Sequence, residues 1–352
     1  MRSRAAGRVG VTLLAAVLAT ACSGDPAPVA TPSPTTASPT PSPTPKPSPT
    51  PAPRPGPVVN PLTGLPGLPK HPVVAVKIDD TASGRPQIGL EAADLVYVEQ
   101  VEAGATRLLA VFASRQPAVV GPVRSVRNSD PELLAAYGHP ALAYSGGAGA
   151  PVSRLRHSTV ADAGAQRFGA DYRRLGTRSA PYNLVVNLSR LAAAVHGIST
   201  PKDVGLRWAH TDPRRAAARK VSAVSVTVGK IRLDWRWDAG SGRWQLHNRD
   251  GSLRRTASGA PVSTPNLVVP FSPTRIDRTD VDVLGAPSVY TSTVGSGRLL
   301  VFRDGRMLAG SWARATPAGA TSYLDPGRTP ITLEPGGAWV LLAATGAPAS
   351  YR

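Results

Sequence analysis

From residue 58 onward the chain alternates short apolar runs with clusters of glycine, proline, asparagine and aspartate. The runs in HPVVAVKIDD (71–80), ADLVYVEQVEAG (93–104) and TRLLAVFAS (106–114) are too short for helices and rich in β-branched residues. They read as buried strands, the first of which ends in Asp79 and Asp80. The period then changes. Ser129 and Asp130, ahead of Pro131 and Glu132, supply a capping side chain and a first-turn proline. Leu133, Leu134 and Tyr137 form an apolar face, and Gly138 stops the helix. HPALAYSGGAGAPVSRLRH (139–157) and NLVVNLSRLAAAVHG (183–197) repeat the order of strand, turn and helix, the second with Asn187 or Ser189 as cap. This alternation predicts an α/β domain, a mixed sheet with flanking helices, over residues 58–200.

Beyond residue 201 the helix signals fade. VSAVSVTVG, IRLDWRWDAGSGRWQLHNRDG, NLVVPF, RLLVFRDGRMLAGSW and AWVLLA are short β-type runs, and the Asp250-Gly251 and Asp304-Gly305 pairs suit tight hairpins. A smaller, mainly antiparallel β domain is expected over 201–352. Trp235 and Trp237 share one strand face with Trp244 opposing them, an arrangement read as core packing rather than a sugar-stacking platform. DRTDVD, near Asp280, reads as a solvated loop.

The first 21 residues place Arg2, Arg4 and Arg8 before an apolar stretch, Val11 to Ala19, too short to span a bilayer. Ala21 and the single cysteine, Cys22, follow, so 1–21 reads as a lipoprotein signal peptide with Cys22 as the lipid-modified residue. Residues 22–57, built of Pro, Ser, Thr and Ala, cannot assemble a core and read as a disordered linker of polyproline character. With its one thiol consumed by lipid, the exported chain has no internal disulfide and no cysteine chemistry.

Forty basic against 22 acidic residues give a formal charge of +18. Such a balance favours anionic partners, although an arginine-rich background composition contributes to it. Export excludes nucleic acid as the working partner. What remains is the membrane, reached through the lipidated N-terminus, and an anionic envelope polymer or glycan. The six histidines are dispersed without metal-ligand spacing, P-loop and dinucleotide fingerprints are incomplete, and no metal or cofactor is indicated. The segment VGPVRSVRNSDPE sets Arg124, Ser125 and Arg127 ahead of the predicted helix at Asp130, where free N–H groups and two guanidinium forks suit an anion. Among the scarce acids, Asp79, Asp80, Glu99 and Glu102 gather at neighbouring strand ends. They can serve acid/base work or pair with Arg85, Arg107 or Arg124, and pairing is the reading preferred.

Taken together, NPLTGLP, VAVKIDD, RPQIGLEAADLVYVEQVEAGATRLLAVF, VGPVRSVR, YSGGAGAP and APYNLVVN resemble the YerB-like bacterial lipoproteins, while LVFRDGRMLAGSWAR and ITLEPGGAWVLL resemble that family's smaller C-terminal domain. The resemblance implies two domains and a lipid-anchored position at the outer face of the cytoplasmic membrane, without naming a reaction. It marks Asp79, Arg85, Glu99, Glu102, Arg107, Arg124, Ser125, Arg127, Gly146, Gly147 and Asn183 as the family's polar and glycine positions. Asp80 departs from the family's asparagine, and Tyr182 from a histidine. The expected function is binding of an anionic or polar envelope ligand through Arg124, Ser125 and Arg127, oriented by Glu99 and Glu102. The alternatives are an envelope hydrolase using Glu99 or Glu102, with Asp79 as second carboxylate, and a scaffold for another envelope protein.

Overall fold

The computed structural model of the chain describes residues 58–281 and 285–352. The leader, Cys22 and the proline-rich linker lie outside the described residues. No helix among the described residues is long and apolar enough to cross a membrane.

The predicted strands form at Val74–Asp79, Leu95–Gln100 and Thr106–Phe112, with shorter ones at Ala141–Ala143 and Ala161–Asp162. They join strands from the second half in one twelve-stranded mixed sheet. Its main path runs Ser322–Leu324, Arg306–Arg314, Gly295–Arg303, Asn266–Ser272, Ala338–Leu341, Leu95–Gln100, Thr106–Phe112, Val74–Asp79, Ala141–Ala143 and Ala161–Asp162. The joint is Ala338–Leu341. This strand runs parallel to both neighbours, pairing Ala338 with Leu95 and Trp339 with Leu267.

Strand alternation sends successive side chains to opposite faces, so both faces must be covered where the runs are continuously apolar. Val76, Ile78, Val98, Leu108 and Phe112 pack on one side against Val226, Trp235, Trp244 and Leu246 of a separate five-stranded antiparallel sheet. Ala75, Tyr97, Leu109 and Val111 face the other side, where Leu133, Leu134 and Tyr137 cover them. Trp235 and Trp244 are buried, and Trp237 lies opposite Trp244 with ring centroids 5.3 Å apart, so the tryptophans are core. Asp304 and Gly305, at φ 51° and 64°, turn the hairpin between Gly295–Arg303 and Arg306–Arg314 as expected.

The helices are brief. Asp130–Leu134 spans five residues before a tighter turn, Ala135–Tyr137, and Gly138 ends it at φ 87°. Ser129 does not cap it, contrary to expectation, because its hydroxyl accepts the Thr291 N–H at 2.9 Å, a tertiary partner replacing the local one. Gly149–Arg156 and Leu188–Ala194 follow, the latter capped by Asn187, whose side chain accepts the Arg190 N–H at 3.1 Å. The DRTDVD stretch is not a loop at its start: it closes the strand Thr274–Val281, paired with Pro287–Thr291.

Candidate functional site

The strand face carrying Ala75 turns from apolar to charged as Val74–Asp79 nears its end. Register sets Asp79 opposite Arg107, and Arg107 opposite Glu99, so all three project from one face, with Lys77 two residues back on the same side. The segment 121–130 crosses this end of the sheet. Asp79 donates its N–H to Pro122 O at 2.9 Å, and Arg124 donates its own to Lys77 O at 2.8 Å. Arg124, Arg127 and Asp130 are thereby delivered onto the charged row, and Glu102 reaches it from the turn after Leu95–Gln100. Four cations (Lys77, Arg107, Arg124, Arg127) thus meet four carboxyl groups (Asp79, Glu99, Glu102, Asp130).

Lys77, fully buried, lies 2.6 Å from Asp130 Oδ1 and 2.9 Å from Glu99 Oε2. One ammonium therefore serves two carboxyl groups away from water. Asp130 gains a second donor, the Arg127 N–H at 2.7 Å, while Glu99 Oε1 has none in the protein. Burial, reinforced by the charge of Asp130, pushes the Glu99 carboxyl up to about 8 against the pull of Lys77. Because Glu99 holds its proton longer when folded than when unfolded, its protonated form favours the fold below the ordinary carboxylate range. That contribution is lost as pH climbs toward about 8. The melting temperature should fall across this window in the native chain, and Glu99→Gln should flatten the fall; an unchanged slope in the variant would refute the assignment.

Glu102 is matched by Arg127, whose Nε and Nη2 approach Oε2 at 2.7 and 2.6 Å. The remaining donors of Arg127 turn to its own loop, Nη1 lying 3.1 Å from the carbonyls of Ser125 and Val126. Asp79 accepts the Thr81 N–H at 2.6 Å and hydroxyl at 2.5 Å on Oδ1, and faces Arg124 Nε at 3.2 Å and Arg107 Nη2 at 3.8 Å through Oδ2. Gly84 permits this fit: a Cβ there would fall 2.5 Å from Asp79 Oδ1. Burial pulls the Arg107 guanidinium down, Asp79 opposes the shift, and Arg124 and Arg127 add to it. The cluster's hydrogen-bonding capacity is not exhausted. Asp79 Oδ2, Glu99 Oε1, Arg107 Nε and Arg124 Nη1 are buried without a hydrogen-bond partner. Arg124 is the cation nearest solvent, a fifth exposed, with its guanidinium 5.4 Å above the Tyr182 ring.

The other predicted residues fall around this cluster or apart from it. Asp80 belongs to the opposite face, where Oδ1 meets Arg85 at 3.1 Å and Arg254 at 3.0 Å and Oδ2 accepts from Thr106 at 2.7 Å. Asn183 follows Tyr182, its Oδ1 accepting from Arg174 at 2.7 Å. Gly146 holds the cluster's loop in place by accepting the Val126 N–H at 3.0 Å, and a Cβ on Gly147 would lie 2.8 Å from Val126. Ser125 contributes its carbonyl to Arg127. Lys77 and Arg254 are not among the residues expected from the sequence. The signal for Lys77 is present in VAVKID: an ionisable residue inside a run otherwise apolar on both faces. No group of three or more His, Cys, Asp or Glu arranged for a metal occurs among the described residues.

Residues 62–200 match the N-terminal domain, and 224–340 the C-terminal domain, of the family described as "Protein of unknown function (DUF3048)". A curated relative, "Putative lipoprotein YerB" of Bacillus subtilis (strain 168), is 46% identical over 70 residues, 19% of this chain. The chain thus spans about a fifth, 21%, of that relative's length. The crystal structure of the YerB protein from Bacillus subtilis superposes with a TM-score of 0.69 at 22% identity, covering 83% of this chain and 99% of that one, a likeness of fold.

Proposed function

Since the chain belongs to the two-domain, YerB-like DUF3048 family, we propose that it is a lipid-anchored extracytoplasmic protein that binds an anionic or polar cell-envelope ligand at the charged cluster, entering beside Arg124. The observation that carries this reading is the set of buried polar atoms with no hydrogen-bond partner: Arg124 Nη1, Arg107 Nε and Asp79 Oδ2. Buried polar groups in folded proteins are almost always satisfied, so two donors left unbonded beside an Asp79 oxygen that is held by ion pairing alone support a ligand completing the network there. Donors and an acceptor together suit a ligand bearing both a negative group and hydroxyls, such as a phosphorylated glycan fragment. Arg124 and Tyr182 form the outer edge, and Arg127 acts behind them by holding Glu102 and the loop rather than by touching the ligand.

Titration calorimetry with a soluble phosphorylated wall disaccharide tests this directly. Arg124→Ala should weaken binding about tenfold or more, the effect of removing a charged hydrogen bond, and should lower the melting temperature as well, because buried Asp79 loses its nearest cation, so binding is measured well below that temperature. Unaltered affinity in that variant removes the proposal. Chromatography of the same mixtures should return the fragment intact; smaller products would turn the reading toward the hydrolase, with Glu99, its carboxyl raised and its Oε1 unbonded, as the acid.

A further inference from the structure

The five-stranded sheet buries one face, through Val226, Leu233, Trp235 and Trp244, and leaves the other polar. That outer face holds a cleft of about 380 Å³, lined by Arg232, Arg236, His247, Asn248, Arg249 and Arg352 among others. It shares no residue with the cluster around Asp79. Elsewhere in the fold several arginines are matched to acids: Arg107 and Arg124 to Asp79, Arg127 to Glu102, Arg254 to Asp80, Arg303 to Glu334, while buried Arg314 is satisfied by backbone carbonyls and Thr293. In the cleft only Arg232 is matched, its Nε 2.7 Å from Asp234 Oδ1. Arg236, Arg249 and Arg352 are exposed and have no carboxylate within 4.0 Å among the described residues. Asp234 is already engaged by Arg232 and by the Ser225 hydroxyl at 2.5 Å, which leaves the cleft with surplus positive charge.

The spacing of these cations narrows the ligand. Arg232 and Arg236 lie four residues apart on one strand, about 13 Å at the usual rise. Arg236 is opposite Ala223, and Arg352 donates its N–H to Ala223 O at 3.0 Å, which puts Arg352 two strands away, about 10 Å. Backbone separations of this size suit an extended ligand with several negative groups better than one small anion. The remaining lining, Ser225, His247, Asn248 and Ser350, offers hydrogen bonds, while Val224 and Trp235 are turned into the core, so apolar side chains of a peptide would find little to fill.

We infer that the outer face of this sheet binds a linear phosphate-bearing polyanion, with Arg236, Arg249 and Arg352 engaging successive phosphates. Long-chain inorganic polyphosphate is the probe, titrated against the full chain by calorimetry at salt from about 50 to 200 mM, where phosphate contacts are expected to weaken steeply. Arg236→Glu with Arg249→Glu should weaken binding by about tenfold or more, since each reversal removes a charged fork and adds repulsion. Lys70→Glu with Arg215→Glu, an equal change of charge on other exposed positions, should leave the affinity within about twofold. Equal loss in the control pair or no saturable binding would each overturn the inference. So would polyglutamate binding as tightly as polyphosphate, or phosphatidylglycerol vesicles binding while the soluble polymer does not.

Discussion

Lys77→Met should destabilise the fold by about 3–5 kcal/mol, read as a large drop in the thermal or urea unfolding midpoint, although methionine fits a strand of this kind. The cause is what the substitution leaves behind. Asp130 and Glu99 are buried, and Lys77 is the ammonium that lies between them, at 2.6 and 2.9 Å. Glu99 can respond by holding its proton, the direction in which its carboxyl is already pushed. Asp130 then retains the Arg127 N–H and no cation, in a place where an unmatched charge costs several kcal/mol. Neutralising the whole group should recover part of the loss, so Lys77→Met combined with Glu99→Gln and Asp130→Asn is expected to unfold later than Lys77→Met alone. A single variant as stable as the native chain would mean that the triad is energetically idle.

Asp80→Ala should cost a comparable amount, about 3–5 kcal/mol, and for a related reason. Its carboxylate takes Arg254 at 3.0 Å and Arg85 at 3.1 Å on one oxygen and the Thr106 hydroxyl at 2.7 Å on the other. Arg254 comes from 174 positions later in the chain, and burial pulls its guanidinium down to about 10 even with Asp80 beside it. Without that partner a buried cation remains between the two halves of the molecule. Asp80→Asn, the residue expected at this place from the family resemblance, keeps an acceptor in the same position and should lose clearly less. Chemical denaturation of the three proteins side by side decides it; equal losses for alanine and asparagine would show that the acceptor kept by asparagine counts for nothing and that Asp80 acts through its charge alone.

The strands were legible because their cause is local. VAVKID, LVYVEQ and TRLLAVF are apolar, β-branched and bounded by turn residues, and nothing distant is required to read them. The charged cluster was partly legible for the same reason, since Asp79, Glu99 and Glu102 stand at strand ends, where neighbours in a sheet meet. Pairing of Asp79 with Arg107 and Arg124, and of Asp80 with Arg85, was among the expected choices. The partner of Glu102 proved to be Arg127, one of the two guanidinium groups expected to face a ligand. Which arginine meets which acid is fixed by the course of the 121–130 segment over the sheet, a tertiary fact with no trace in composition. The same holds for Ser129, a plausible cap in sequence that spends its hydroxyl on Thr291 instead.

Parallel pairing leaves still less local sign, because its partners are remote in sequence. Ala338–Leu341 shows this most clearly, lying between Leu95–Gln100 and Asn266–Ser272. A chain cut near residue 201 into two fragments would leave each with a bare, apolar strand edge where that seam had been, an invitation to self-association. Synthesis imposes the same condition in time: the centre of the large sheet stays open until Ala338–Leu341 has been made, and only then can it close.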